Sequence, residues 1–287
     1  NLKKEIELNE KDIENALNVD LGKSSGESYL TEIAFVYFEI KIALKNIKKW
    51  VKRKPVRSSL LNFPSSDYII AEPYGNTLHI SPWNYPFQLA IAPLIGAVAA
   101  GNTVLLKPSE YSVNTSAILN KILSKVFDDG FVKVVQGGPE IASEILKFKW
   151  DYIFFTGSVN VGKIVAKEAA KNLTPVTLEL GGKNPCVIDK TASLKVTAKR
   201  IVWGKFTNCG QTCIAPDFLI VDNKIKSKLI IELKNQIIKT YGEKPIESVE
   251  YGRIISEKHI KYLSSLIENQ KILYGGNIDI DKKYFQP

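Results

Sequence analysis

The chain has 287 residues, 45% apolar and 24% charged, the balance of a soluble globular protein with room for a large core in one or two domains. Its net charge of +9 comes mainly from scattered Lys, with Arg only at positions 53, 57, 200 and 253; without a basic stripe interleaved with aromatics, this argues against a nucleic-acid partner. No apolar run approaches the roughly 18 residues of a membrane span, no apolar leader is visible, and three scattered cysteines fit a reducing, cytoplasmic compartment.

Residues 1–50 read as helical, with Ile33, Val36, Tyr37, Ile40, Leu44 and Ile47 on one face; Pro55 ends that region. Lys48 to Lys54 is the one local basic cluster and suits a helix C-terminus. Short strands follow at 67–72 and 76–81, joined by the turn signal Pro73-Tyr-Gly75. Pro82-Trp-Asn-Tyr-Pro86 is a loop held by two prolines, and residues 87–100 are a buried helix closed by Gly101 and Asn102. Strand-like runs at 103–106, 132–135, 152–155 and 176–178 then alternate with helical runs at 112–127, 139–146 and 162–170. That rhythm implies βαβ units and a parallel sheet, hence an α/β fold. The pattern restarts after Gly182 with strands at 185–188 and 218–221, helices at 193–206, 224–240 and 256–270, and an extended run at 271–274. A boundary near Gly181-Gly182 divides a domain of residues 1–180 from one of residues 181–287. The chain stops at Tyr284-Phe-Gln-Pro287 with no closing element, as if cut within a domain. It contains no Met, so Asn1 is expected to follow a start that lies outside this sequence.

Ligands of parallel sheets sit at the C-terminal ends of the strands, where Lys107-Pro-Ser-Glu110, Thr156-Gly-Ser158 and Glu179 all fall. Gly157-Ser-Val-Asn-Val-Gly-Lys-Ile164 follows a strand and opens a helix, so its N–H groups suit a phosphate. It misses the P-loop pattern GxxxxGK[ST] because Ile164 replaces the hydroxyl that would hold Mg²⁺. A dinucleotide pyrophosphate fits better than a nucleoside triphosphate; a glycine turn for close packing is the other reading. Lys107 and Glu110 offer donors and acceptors for ribose hydroxyls, or a plain surface ion pair. The Asn84 amide can donate to an oxyanion, or serve the loop as a turn residue. Cys213 is a candidate nucleophile and Glu179 a candidate base for water; taken singly, each is more often a structural residue. Cys209 and Cys213, with only His79 and His259 elsewhere, do not make a zinc site.

Pro82-Trp-Asn84, Leu106-Lys-Pro-Ser-Glu110, Phe155-Thr-Gly-Ser158 with Gly162, Leu178-Glu-Leu-Gly-Gly182 and Gly210-Gln-Thr-Cys213 occur in order along the chain. In these motifs the sequence resembles the aldehyde dehydrogenase family, and in Tyr251-Gly-Arg-Ile-Ile255 its class 3 branch. The resemblance implies a variant Rossmann domain without the usual GxGxxG, followed by an α/β catalytic domain that is incomplete here. It implies Cys213 as the nucleophile, Asn84 and the Cys213 N–H as oxyanion donors, and Glu179 as the base that deacylates the enzyme. Lys107 and Glu110 would meet the adenine ribose of NAD or NADP. Gly157, Ser158 and Gly162 would follow the pyrophosphate, with Trp83 and Leu180 also bordering the cofactor. Substrates would be medium or long aliphatic aldehydes, or aromatic ones.

Chains of this family continue well past the point matching Pro287, and begin before the point matching Asn1, so truncation at both ends is expected. The part beyond Pro287 would carry an acidic motif for the nicotinamide ribose and a C-terminal arm of a homodimer. Residues 67–81 can lend a strand to an oligomerisation sheet. Cys209 stands where Ser or Ala is expected, which suggests a disulfide with Cys213 under oxidation. An inactive dinucleotide-binding remnant is the alternative to the enzyme, and a P-loop-like phosphotransferase is a third reading that Ile164 opposes.

Overall fold

The alternation of β-branched runs and helices between residues 76 and 180 becomes one parallel sheet. The computed structural model describes all of residues 1–287. It opens with helices α1 (Leu2–Leu8), α2 (Glu10–Leu21) and the single turn α3 (Ser25–Ser28), which runs through a π turn into α4 (Ala34–Trp50). Next come β1 (Lys54–Val56) and β2 (Asp67–Ile69), then β3 (Asn76–Ile80), α5 (Gln88–Ala99), β4 (Thr103–Lys107), α6 (Val113–Val126) and β5 (Val132–Val134). The series continues with α7 (Pro139–Ile145), β6 (Tyr152–Gly157), α8 (Val159–Ala170) and β7 (Val176–Leu180). The five strands β3 to β7 form a wholly parallel sheet in the order β5-β4-β3-β6-β7.

Successive strand residues face opposite sides of a sheet, so a parallel sheet covered on both faces needs apolar residues at consecutive positions. β4 supplies them: Val104 and Leu106 pack with α1, α2, α4, α5 and α6, while Leu105 packs on the opposite layer with α7 and α8. Consecutive burial of Thr77, Leu78 and His79 likewise marks β3 as an interior strand. His79 meets the Phe154 ring there, and burial lowers its pKa to about 4, which keeps it neutral.

Beyond residue 180 a second unit holds β8 (Asn184–Ile188), α9 (Leu194–Phe206), β9 (Pro216–Val221), α10 (Lys226–Tyr241), α11 (Glu257–Ile267), β10 (Ile278–Asp279) and β11 (Tyr284–Phe285). Its parallel pair β8–β9 packs with α9 and α10 around Ile188, Ile201 and Leu229. A neighbouring cluster joins Val202, Ile237, Tyr241, Tyr251 and Tyr284. No helix is long and apolar enough to cross a membrane.

Four expectations change. The turn signal at Pro73-Tyr-Gly75 does not make a hairpin: β2 pairs antiparallel with β1, whereas β3 enters the centre of the parallel sheet. Gly75 takes a φ of 121°, and its neighbour Asn76 donates its N–H to Asp151 at 2.8 Å, which turns the chain into the sheet. Of the segment 67–81, only β2 therefore stays outside that sheet. On α4 the buried stripe is Val36, Ile40 and Ala43, while Leu44 lies on its flank at 71% exposure. Residues 271–274 form no strand, and β11, which no apolar run announces, closes on β10 instead.

The N-terminus of α6 is satisfied from far away in sequence. Asp20, 7% exposed, accepts from the Asn114 and Thr115 N–H groups at 3.2 and 2.8 Å and from both their side chains at 2.8 and 2.7 Å. Its negative charge also suits a helix N-terminus. Asp20→Ala strands these donors inside the protein and is expected to destabilise it by about 1–3 kcal/mol, read as a lower urea midpoint at unchanged slope.

Candidate active site

The positions singled out in the first half of the chain gather along one edge of the sheet. Lys107, the last residue of β4, lies opposite Ile80, the last of β3; Trp83 and Asn84 follow in the next loop. Gly157 ends β6 opposite Leu180, the last residue of β7, and Glu179 lies opposite Thr156. These lie at or just beyond C-terminal strand ends, the edge of a parallel sheet where ligands bind.

Lys107 is 2% exposed, and its Nζ donates to Glu110 at 3.1 Å. Ser158 is the N-cap of α8, its hydroxyl accepting from the Val161 N–H at 3.3 Å. At Gly162 a Cβ would lie 2.8 Å from Leu180 Cδ2, so α8 runs hard against the end of β7. The start of α8 thus sits beside Leu180, with Lys107 three strands away in the sheet. These residues fit a dinucleotide: amide donors for its phosphates, a cation and a carboxylate for a ribose.

The segment before Cys213 has an unusual backbone. Asn208, Cys209 and Gly210 take φ values of 55°, 54° and 77° in succession, a left-handed run that two non-glycine residues adopt only under restraint. The restraints are visible. The Asn208 N–H donates to Glu27 Oε1 at 2.5 Å, and its side-chain amide donates to the Asn84 carbonyl at 2.6 Å. Gln211 donates to the Asn208 and Arg253 carbonyls, each at 3.0 Å, and accepts from the Ile255 N–H at 3.0 Å. The class 3-like stretch around Arg253 therefore serves as a backstop for this loop.

Cys213 is exposed, and its backbone N–H donates to no group of the chain. Its carbonyl accepts from Asn184 Nδ2 at 2.7 Å, and it lies 2.8 Å from where a Cβ on Gly182 would be. Gly182 is three residues past Glu179, so the strand end carrying the exposed carboxylate runs directly onto the Cys213 backbone. From the other side, Asn84 Nδ2 donates to the Gln211 carbonyl at 2.8 Å, and the Tyr85 hydroxyl meets Thr212 Oγ1 at 2.6 Å. Cys213, Glu179 and Asn84 thus belong to three segments tied to one another by hydrogen bonds or direct contact.

Cys209 behaves differently from Cys213. It is half-buried with its sulfur turned inward, 3.6 Å from where a Cβ on Gly252 would be, and burial pushes its thiol up to about 12. The suggested disulfide with Cys213 would require the Cys209 sulfur to leave its packing beside Gly252; both thiols are free here. Iodoacetamide at neutral pH is expected to label Cys213 and leave Cys209 free, and peptide mapping after mild oxidation should find no 209–213 crosslink.

Sequence reasoning missed Lys23, Glu32, Asn208 and Gln211, which hold the loops in place. Glu32 did leave a signal: it lies four residues before Val36 and eight before Ile40, so a charge falls on an apolar helical face. His259, named above only as failing to complete a zinc site, has a structural place. It packs edge-on against Trp83 at 5.0 Å and against Tyr111 at 5.7 Å, while Ser256 meets its Nδ1 at 2.8 Å. Burial, with the charge of Lys258, lowers its pKa; this packing anchors the start of α11 on the Trp83 loop.

Comparison with known proteins shows the family and the fold. Residues 1–287 match the family model described as "Aldehyde dehydrogenase family". The chain is 47% identical over 286 residues to aldehyde dehydrogenase family 3 member A2 of Macaca fascicularis, covering 100% of this chain and 59% of that one. It is 44% identical over 286 residues to the dimeric NADP-preferring aldehyde dehydrogenase of Rattus norvegicus, with 100% and 63% covered. The solved substrate-bound structure of AldH from Staphylococcus aureus matches with a TM-score of 0.97 at 46% identity, over 100% of this chain and 63% of that one. The chain thus spans 59–63% of the length of these relatives.

Proposed function

The chain belongs to the aldehyde dehydrogenase family, with class 3 members among its relatives, and from that premise we propose that it oxidises an aldehyde to a carboxylic acid with NAD or NADP through a thioester on Cys213. The observation that carries this reading is the convergence on Cys213: a free backbone N–H, the Asn84 amide tied to the neighbouring carbonyl, and the Glu179 strand end abutting from behind.

The Cys213 sulfur, as thiolate, attacks the aldehyde carbon and forms a thiohemiacetal. The Cys213 N–H and the second N–H of the Asn84 amide hold the resulting oxyanion. Donors of this kind are each worth about 10²–10³ in rate. NAD(P)⁺, when bound, supplies a hydride acceptor. With the carbon oxidised to a thioester, Glu179 takes a proton from water, the water oxygen attacks the acyl carbon, and the acid leaves as the Cys213 thiolate returns. Aldehyde, oxidised cofactor and water become acid, reduced cofactor and a proton. Lys107 and Glu110 bind ribose hydroxyls, and Gly157, Ser158 and Gly162 line the pyrophosphate path, with Trp83 and Leu180 alongside.

Both cofactors remain in the reading. Glu110 as an acceptor suits a free 2′-hydroxyl, whereas the rat relative is named NADP-preferring. The same relative is named dimeric, and the exposed β1–β2 pair is where a second subunit would add strands. An enzyme that depends on a free thiol suits a reducing, cytoplasmic setting; neither a membrane nor a nucleic acid enters the reading.

Absorbance of the reduced cofactor, followed with medium-chain aliphatic and aromatic aldehydes and either dinucleotide, tests the proposal on the full-length protein. Turnover with at least one pair is expected. Calorimetric binding of dinucleotide with no turnover of any aldehyde would replace the enzyme with an inactive binding protein.

A further inference from the structure

Beneath the Trp83 loop lies a charged pair that the reaction above does not use. Lys23 and Glu32 are both 0% exposed and joined Nζ to Oε1. A buried ammonium must place each of its N–H groups. Besides Glu32, Lys23 Nζ donates to the Asn84 carbonyl at 3.2 Å and stands 4.2 Å over the Tyr85 ring. The other oxygen of Glu32 accepts from the Phe87 and Gln88 N–H groups at 2.8 and 3.1 Å, fixing the start of α5. The backbone of Lys23 is itself pinned, because Asn18 Nδ2 donates to its carbonyl at 2.9 Å after the left-handed Gly22 at φ 66°.

Asn84 is therefore gripped at its carbonyl by Lys23 and Asn208, while its amide reaches the Gln211 carbonyl, two residues before Cys213. We propose that Lys23, held by Glu32, is a positioning residue for aldehyde oxidation: it fixes the Asn84 carbonyl so that the side-chain amide faces the oxyanion formed at Cys213. The proposal rests on the functional reading above. Lys23 touches neither substrate nor cofactor in it, and acts only through Asn84. The Asn84 carbonyl also accepts from Asn208, so the pair is coupled through it to the Cys213 loop.

A double-mutant cycle between Lys23→Met and Asn84→Ala, read as the rate of the first burst of reduced cofactor, tests it in the full-length protein. Lys23→Met is expected to slow the burst about 10²-fold, the scale of a misplaced catalytic group. Dinucleotide affinity and Cys213 alkylation should stay within about twofold of wild type. In the Asn84→Ala background the same change should have almost no further effect. If Lys23→Met alone fails to fold, Lys23→Met/Glu32→Gln removes both charges, keeps an oxygen for the Phe87 and Gln88 N–H groups, and completes the same cycle. Equal loss in both backgrounds overturns this proposal alone. A wild-type protein that oxidises no aldehyde, or an Asn84→Ala variant that bursts at the wild-type rate, overturns the functional reading and this inference together.

Discussion

Cys213→Ala should lose aldehyde-dependent formation of reduced cofactor almost completely, with a fall on the order of 10⁶ in turnover, the scale of deleting a covalent nucleophile. Without the sulfur there is no thiohemiacetal, and the Asn84 amide and backbone N–H have no oxyanion to hold. The fold should survive, because Cys213 is exposed and its structural bonds run through its backbone carbonyl to Asn184. Dinucleotide affinity should be unchanged, since the residues proposed for that role, Lys107, Glu110, Gly157, Ser158, Gly162, Trp83 and Leu180, all lie outside the Cys213 loop. The measurement pairs steady-state turnover with calorimetric binding. A Cys213→Ala protein with wild-type turnover and intact binding would assign the chemistry to another residue.

Glu179→Gln should separate the two halves of the cycle. The amide keeps the shape of the carboxylate but cannot take a proton from water, so deacylation should slow by about 10²–10⁴. Acylation needs no such base and should persist. One equivalent of reduced cofactor is expected in a rapid burst, followed by a slow steady state, with the acyl group found on Cys213 by intact mass. Loss of the burst itself would instead mean that Glu179 activates the thiol. The position allows the water role: Glu179 is exposed at the end of β7, opposite Thr156, on the strand end whose continuation meets the Cys213 carbonyl through Gly182.

Much of this was legible in the sequence because it depends on local pattern. Runs such as Thr103–Lys107 and Tyr152–Gly157 are strand-like by composition, and their regular spacing with helices requires a parallel sheet. Ser158 and Gly162 follow a strand at a spacing that only a strand-to-helix turn explains. The misreadings occurred where distant residues decided the outcome. Pro73-Tyr-Gly75 is a sound turn signal, yet Asp151 captures the next N–H and draws β3 into the sheet. Nor does sequence show that the left-handed backbone at Cys209 and its packing at Gly252 give the two thiols different surroundings.

The sequence by itself determined the α/β class and the strand ends that carry the candidate cofactor residues, since periodicity is a property of short stretches; Cys213, Glu179 and Asn84 became candidates through motifs that resemble the aldehyde dehydrogenase family. Only the tertiary structure decided that the segments carrying these three meet, and what holds them. The bonds from Lys23 and Asn208 to the Asn84 carbonyl span 61 and 124 residues, and the choice of partner across such separations is fixed by how buried donors and acceptors are satisfied once the whole chain has packed.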